Sequence, residues 1–229
     1  MTTLSESVTK GNGVTPHTIA QLSNIHYIYQ ERPNIERAHK KADRKLSRLG
    51  YELDKSNTNK DIMTVKKNNN IHINYSGTDI NNPRDILSDV SLSVGSQKLN
   101  PQFNERRRKT RDIMKQYGDD KQYSLSGHSL GASILMNTLS ESKSIRDRVH
   151  KAYTFNAGYT PLFHNSIKVE KPVKKKLDKI VEHHRVKGDI VSAHMNKEIA
   201  YGELTEYKAD KGASLIDKHK LDNFMESNA

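Results

Sequence analysis

The spacing of apolar positions changes several times along the chain, and each change marks an element. Between 34 and 49, Ile35, Ala38, Ala42, Leu46 and Leu49 recur every three or four residues, and Gly50 follows where a helix commonly ends. This predicts a helix packed by one face. Around the turn-prone KKNNN, 61–65 and 70–75 read as paired strands, the second alternating Ile71, Ile73 and Tyr75. Asn100-Pro101 precedes a charged helix over 102–117 that turns Phe103, Ile113, Met114 and Tyr117 inward, and Gly118 closes it. A strand over 122–126 runs through a glycine-flanked turn into a helix carrying Ile134, Leu135 and Leu139. Strands follow at 151–155, 180–186 and 199–204, with a basic connection, VEKPVKKKLDK, before the second and a helix or loop-helix over 214–226 at the end.

Strands separated by helices predict an α/β fold, a mostly parallel central sheet with helices on both faces in three layers. The polar stretch 1–17 has neither period and is expected to be a tail ahead of one domain over 18–229. Residues 79–100 read as a loop holding a short apolar group, Ile86, Leu87, Val90 and Leu92.

Composition narrows the chemistry. None of the 229 residues is Cys, which removes a disulfide framework, a zinc-thiolate site and a cysteine nucleophile. No cofactor and no metal is expected. The 38 Lys and Arg against 27 Asp and Glu leave a net charge of +11 on a chain only 33% hydrophobic. No apolar run approaches the length of a membrane span, and the first residues lack the basic and apolar regions of a secretory signal. An intracellular setting is therefore expected. The bias to Lys and Asn suits the A/T-rich genome of a large DNA virus or a protist, and a cytoplasmic or virion-associated setting is expected.

The pentapeptide GHSLG at 127–131 has the form GxSxG. A serine in this pattern stands on a turn so sharp that side chains at Gly127 and Gly131 would clash, and the turn lifts its hydroxyl above the strand end. A strand before and a helix after are what such a turn requires, and both are predicted. The hydroxyl of Ser129 needs a base, and the base needs a carboxylate to orient it. Asp189, in KGDIVS just past the strand at 180–186, lies at the carboxyl edge of the sheet, where active sites form. His194 and His219 follow it. His219 is favoured because a final loop can carry it back over the sheet. His128 is expected to shape the turn, and His183 and His184 to belong to the scaffold.

Six segments then coincide in order with one family. YSGT at 75–78, DILSDVSL at 85–92, GHSLGA at 127–132, AYTFNAG at 152–158, RVKGDIVS at 185–192 and HKLDNF at 219–224 resemble the motifs of the fungal-type class 3 lipases, a branch of the α/β-hydrolases. The resemblance implies a serine hydrolase of carboxylic esters, acting on lipids through an acyl-enzyme. Ser129, Asp189 and His219 would be nucleophile, acid and base. Thr78 and the backbone N–H of Leu130 would form the oxyanion hole, and 79–100 would lie where the family carries a lid. Ser76 stands in place of the family's Arg and Asn156 in place of its Gly, Trp is missing after Asp85, and the interval from acid to base is short.

The runs at 105–111 (ERRRKTR) and 168–179 hold much of the positive charge. On a lipolytic enzyme such runs attract an anionic membrane surface, which favours phospholipid over neutral fat. No nucleic-acid motif is present and aromatics amount to 6%, so no nucleic-acid partner is expected. Two other readings remain open at this level: a hydrolase of small soluble esters, and a non-catalytic polyanion-binding protein on the same fold.

Overall fold

The computed structural model describes residues 14–31, 34–77, 101–196 and 199–225. A seven-stranded sheet runs in simple sequence order from β1 to β7. β1 (Glu52–Leu53), β2 (Ile62–Lys67) and β3 (Asn70–Tyr75) form an antiparallel meander. From β3 onward the pairing is parallel, through β4 (Gln122–His128), β5 (Val149–Phe155), β6 (Val181–Val186) and β7 (Glu203–Tyr207). The expected α/β class and mostly parallel sheet are what the chain adopts.

Strand order explains how both faces are covered. A parallel sheet that always grows toward the same edge, with right-handed crossovers, stacks its connecting helices on one face. That face is buried by α4 (Pro101–Tyr117), α5 (Leu130–Glu141), α7 (Pro161–Ser166) and α8 (Lys171–Ile180), the short α6 (Lys143–Arg146) adding Ile145. There Phe103, Ile113, Leu135, Phe163 and Leu177 pack with Ile71, Ile73 and Leu125. The other face is closed by the two ends of the chain. α1 (Pro16–His26), α2 (Ile28–Glu31) and α3 (Ile35–Arg48) join the C-terminal 3₁₀ turn Leu221–Phe224 over Met63, Val65, Phe155 and Val186.

Alternation in β3 has a consequence that periodicity does not reveal. Ile71, Ile73 and Tyr75 face the crossover helices, while His72 and Asn74 point the other way and are nevertheless buried, beneath α1. A closed hydrogen-bond network satisfies them. His26 Nε2 donates to the Asn59 carbonyl at 2.9 Å, and its Nδ1 accepts from Asn74 Nδ2 at 2.8 Å. Asn74 Oδ1 accepts from Ser23 and Ser126, Ser126 accepts from His72 Nε2, and His72 Nδ1 accepts from Ser124. Burial pushes His72 down to about 3 and His26 down to about 4, so both are neutral.

Four sequence expectations change. Order begins before Thr18: Thr15 caps α1, and His17 Nδ1 donates to the Phe224 carbonyl at 2.6 Å. The basic connection at 169–179 is largely the helix α8, since Val173, Leu177 and Ile180 recur at helical spacing against the core beneath a lysine-rich outer face. The last strand starts at Glu203 and not at Ile199, because Ala200 and Tyr201 pack into the core and Gly202, at φ +88°, turns the chain first. In α4, Arg106 is buried and not a solvated charge, its guanidinium bonding the Ser76 carbonyl and Asp61. The expected loop at 79–100 and residues 1–13 of the expected tail lie outside the described residues. Among the described residues no helix is long and apolar enough to cross a membrane.

Candidate active site

Ser129 lies between the end of β4 and the start of α5, with φ 54° and ψ −124°. A left-handed φ in a residue with a Cβ costs about 1–3 kcal/mol and persists only where its surroundings enforce it. Here the Ser129 N–H donates to the Phe155 carbonyl at 3.0 Å, and its carbonyl accepts from Ala132, Ser133 and Gly158. The flanking glycines serve by their size, since neither has a positive φ. A Cβ on Gly127 would lie 2.6 Å from the Gly131 backbone, and one on Gly131 would run into the Tyr75 and Ser76 backbone. The clashes expected at both glycines are there, and the unusual φ falls on the serine itself.

A residue past a strand end and one at a helix end meet nearby. Asp189 follows β6, and His219 ends α9 (Leu215–His219). His219 Nδ1 donates to Asp189 Oδ1 at 2.9 Å, and Asp189 Oδ2 accepts from the Ser192 N–H at 2.9 Å and from its hydroxyl. Burial alone would raise the Asp189 carboxyl, but the bonds and charge of His219 and the bonds of Ser192 outweigh it and hold the group below the ordinary carboxylate range. Asp189 is 1% exposed and His219 2%. With Nδ1 committed as a donor, Nε2 of His219 carries a lone pair in the neutral ring. That atom and Ser129 Oγ are both buried, and neither has a hydrogen-bond partner among the described residues. His194 is exposed on the 3₁₀ turn Ala193–Asn196, so the structure brings His219 and not His194 to the acid.

The turn histidine is bonded on both ring nitrogens. His128 Nε2 donates to the His219 carbonyl at 2.8 Å, which leaves Nδ1 to accept from the Tyr27 hydroxyl at 2.6 Å. The His128 and His219 rings lie 4.8 Å apart. Burial, reinforced by His219, lowers His128 to about 3, so it stays neutral and serves as a strut. Asn156, at φ 42° after β5, adds a second strut: its Nδ2 donates to the Lys218 and His219 carbonyls, and its Oδ1 accepts from the Val186 N–H. Arg185, 1% exposed, ion-pairs with Glu206 and donates to the Ser192 and Ala193 carbonyls, fixing the turn after Asp189. His183 is scaffold as expected, bonded to Thr154 and to the Tyr201 carbonyl.

Sequence reasoning assigned no role to Tyr27, Asn156, Ser192 or Arg185. Asn156 left a trace as an Asn where the resembled motif has Gly, both residues that tolerate a positive φ, and Arg185 and Ser192 only as the ends of the RVKGDIVS segment.

The end of β3 presses against the serine turn. A Cβ on Gly77 would lie 2.6 Å from the His128 carbonyl and 3.0 Å from Ser129 Cβ, and Gln30 holds the Gly77 carbonyl at 2.7 Å. Thr78 itself lies outside the described residues. Leu130, first residue of α5, has no acceptor within the helix for its N–H, and the helix start concentrates positive potential there.

No protein-family model matches the chain, and no curated protein matches it in sequence. Solved structures similar in fold include a Rhizomucor miehei lipase propeptide complex (17% identity, TM-score 0.40, covering 72% of this chain). The chain spans 61% of the length of that lipase. A lipase from Rhizopus microsporus var. chinensis is 12% identical with TM-score 0.46, covering 92% of this chain and 87% of its own. An esterase from Pseudomonas putida is 10% identical with TM-score 0.38, covering 94% and 98%.

Proposed function

We propose that this protein is a serine carboxylic-ester hydrolase acting on lipid esters, with Ser129 as nucleophile, His219 as base and Asp189 as the carboxylate that orients it. The observation that carries the reading is the pair of buried, unpartnered atoms, Ser129 Oγ on its enforced turn and His219 Nε2 on a ring held by Asp189. A buried hydroxyl and a buried ring nitrogen left unsatisfied each cost about 1–3 kcal/mol, a cost that a reacting group and its substrate would relieve.

In this reading Oγ attacks the ester carbonyl carbon as its proton passes to Nε2. The oxyanion is met by the Leu130 N–H at the start of α5 and, as the motif resemblance implies, by Thr78 next to Gly77. Nε2–H then protonates the departing alcohol, leaving Ser129 acylated. Water attacks the acyl carbon, its proton going to Nε2, and the collapse of that intermediate returns the proton to Oγ and frees the acid. Asp189 remains ionised throughout and favours the imidazolium that forms in each half.

Hydrolysis of p-nitrophenyl butyrate tests the reading. Ser129→Ala and His219→Ala should each lower kcat by about 10³-fold or more, and Asp189→Asn by about as much. An unchanged rate in Ser129→Ala would refute the assignment. Lipid substrates are supported by the motif resemblance, and comparing a long-chain glyceride with the soluble ester tests that part.

A further inference from the structure

Several side chains of the two basic runs that stand out in the sequence already have partners within the molecule. Arg106 is buried on Ser76 and Asp61, Arg107 donates to Asn137, Lys174 pairs with Asp178 and Lys176 with Asp147. A different group of lysines stands free beside the candidate active site. Lys187 follows β6, Lys208 follows β7 and Lys218 lies in α9, and together they line one open cleft of about 440 Å³ with Ala209, Asp210, Gly212 and Ala213. None of the three ammonium groups has an ion-pair partner among the described residues, and the single carboxylate in the lining, Asp210, leaves two positive charges in excess.

The cleft is tied to the catalytic elements. Lys187 stands two residues before Asp189, and Lys218 stands one before His219. The Lys218 carbonyl is held by Asn156 at 3.0 Å, and its half-buried stem runs over Gly188, where a Cβ would lie 3.5 Å from Nζ. β6 and β7 are two and three strands from β4, so the strand ends that Lys187 and Lys208 follow sit about 10–15 Å across the sheet edge from the serine turn. The volume falls within the roughly 300–1,000 Å³ of small-molecule sites. Its lining offers two alanines and no larger apolar side chain, which suits a polar group and not an acyl chain.

We infer that the cleft of Lys187, Lys208 and Lys218 binds an anionic group of the substrate, a phosphate or carboxylate carried several bonds from the scissile ester. Preference for charged esters then comes from this cleft and not from the long basic runs. The inference rests on the ester-hydrolase reading above and names its substrate class.

The test compares kcat/KM for soluble dihexanoyl phosphatidic acid with that for dihexanoylglycerol, both as monomers. Lys187→Gln, Lys208→Gln and Lys218→Gln combined should lower the anionic-to-neutral ratio by about tenfold or more, with Lys208→Gln alone giving a smaller drop should the triple variant melt early. Lys174→Gln with Lys176→Gln should leave the ratio where it is. A ratio unmoved by the triple variant overturns the inference. Dioleoylglycerol in phosphatidylcholine vesicles, with and without phosphatidylglycerol, separates the sources of charge: a lysine-dependent gain seen only on anionic vesicles, with a flat monomer ratio, overturns a substrate pocket in favour of surface attraction. Calorimetry with glycerol 1-phosphate separates the two readings. Lysine-dependent binding by a protein inert toward both esters supports the cleft and sinks the hydrolase, whereas ester turnover without such binding sinks the cleft alone.

Discussion

Around His219, each contact has a definite donor and acceptor. Asp189 sets the ring tautomer, and His128 and Asn156 both donate to the residue's backbone carbonyl. Removing the Tyr27 hydroxyl would leave His128 Nδ1 buried without a donor, and a tautomer switch would then turn a lone pair toward the His219 carbonyl. Tyr27→Phe should therefore lower kcat by about tenfold with KM little changed, whereas a merely structural hydroxyl would move the melting temperature alone. Asn156→Asp keeps the acceptor for the Val186 N–H but replaces the donor by an oxygen facing two carbonyls, and should act the same way. Steady-state kinetics on a soluble ester checks both. The turn at Ser129 and the meeting of Asp189 with His219 could be anticipated because each residue lies in a short motif at a strand or chain end. The struts were not, because Tyr27 meets His128 across 101 residues of sequence and no local pattern encodes that meeting.

At the level of elements, β4, the turn and α5 form one unit whose spacing leaves no room at either glycine. Gly131→Ala would drive a methyl group into the backbone of Tyr75 and Ser76, where no flexible side chain can give way. It should destabilise the fold by about 3 kcal/mol or more and abolish activity, read from urea midpoints and ester turnover. Leu177→Ala in α8 removes a wholly buried side chain and should cost about 2–5 kcal/mol while sparing KM. The helix over 35–48 and the strands around Ser129 were readable because their apolar periods are uninterrupted. Helix α8 was obscured by lysines that cover three of its sides, and β7 by an edge position where most side chains are exposed.

For the whole molecule, the sheet order places the described crossover helices on one face and leaves the chain ends to close the other, which brings Tyr27 and His219 to the same sheet edge as Ser129. The two covered faces also bury neutral histidines. His26 and His183 are lowered to about 4, and His72 and His128 to about 3, in each case chiefly by burial. Because the folded values lie below the unfolded value near 6.5, the unfolded chain takes up protons first, so stability is full above about pH 6.5 and falls as pH drops toward 3–4. At pH 5.5 each such histidine costs on the order of 1 kcal/mol, several kcal/mol together, and the urea midpoint should fall steeply between pH 7 and 5. A midpoint flat over that range would mean the network takes up protons while folded. The catalytic assignment itself is tested most directly by peptide mapping after reaction with a fluorophosphonate. Modification of Ser129 alone, slowed by about 10³-fold in His219→Ala, is the predicted result; labelling at another residue, or an equal rate in His219→Ala, would contradict it.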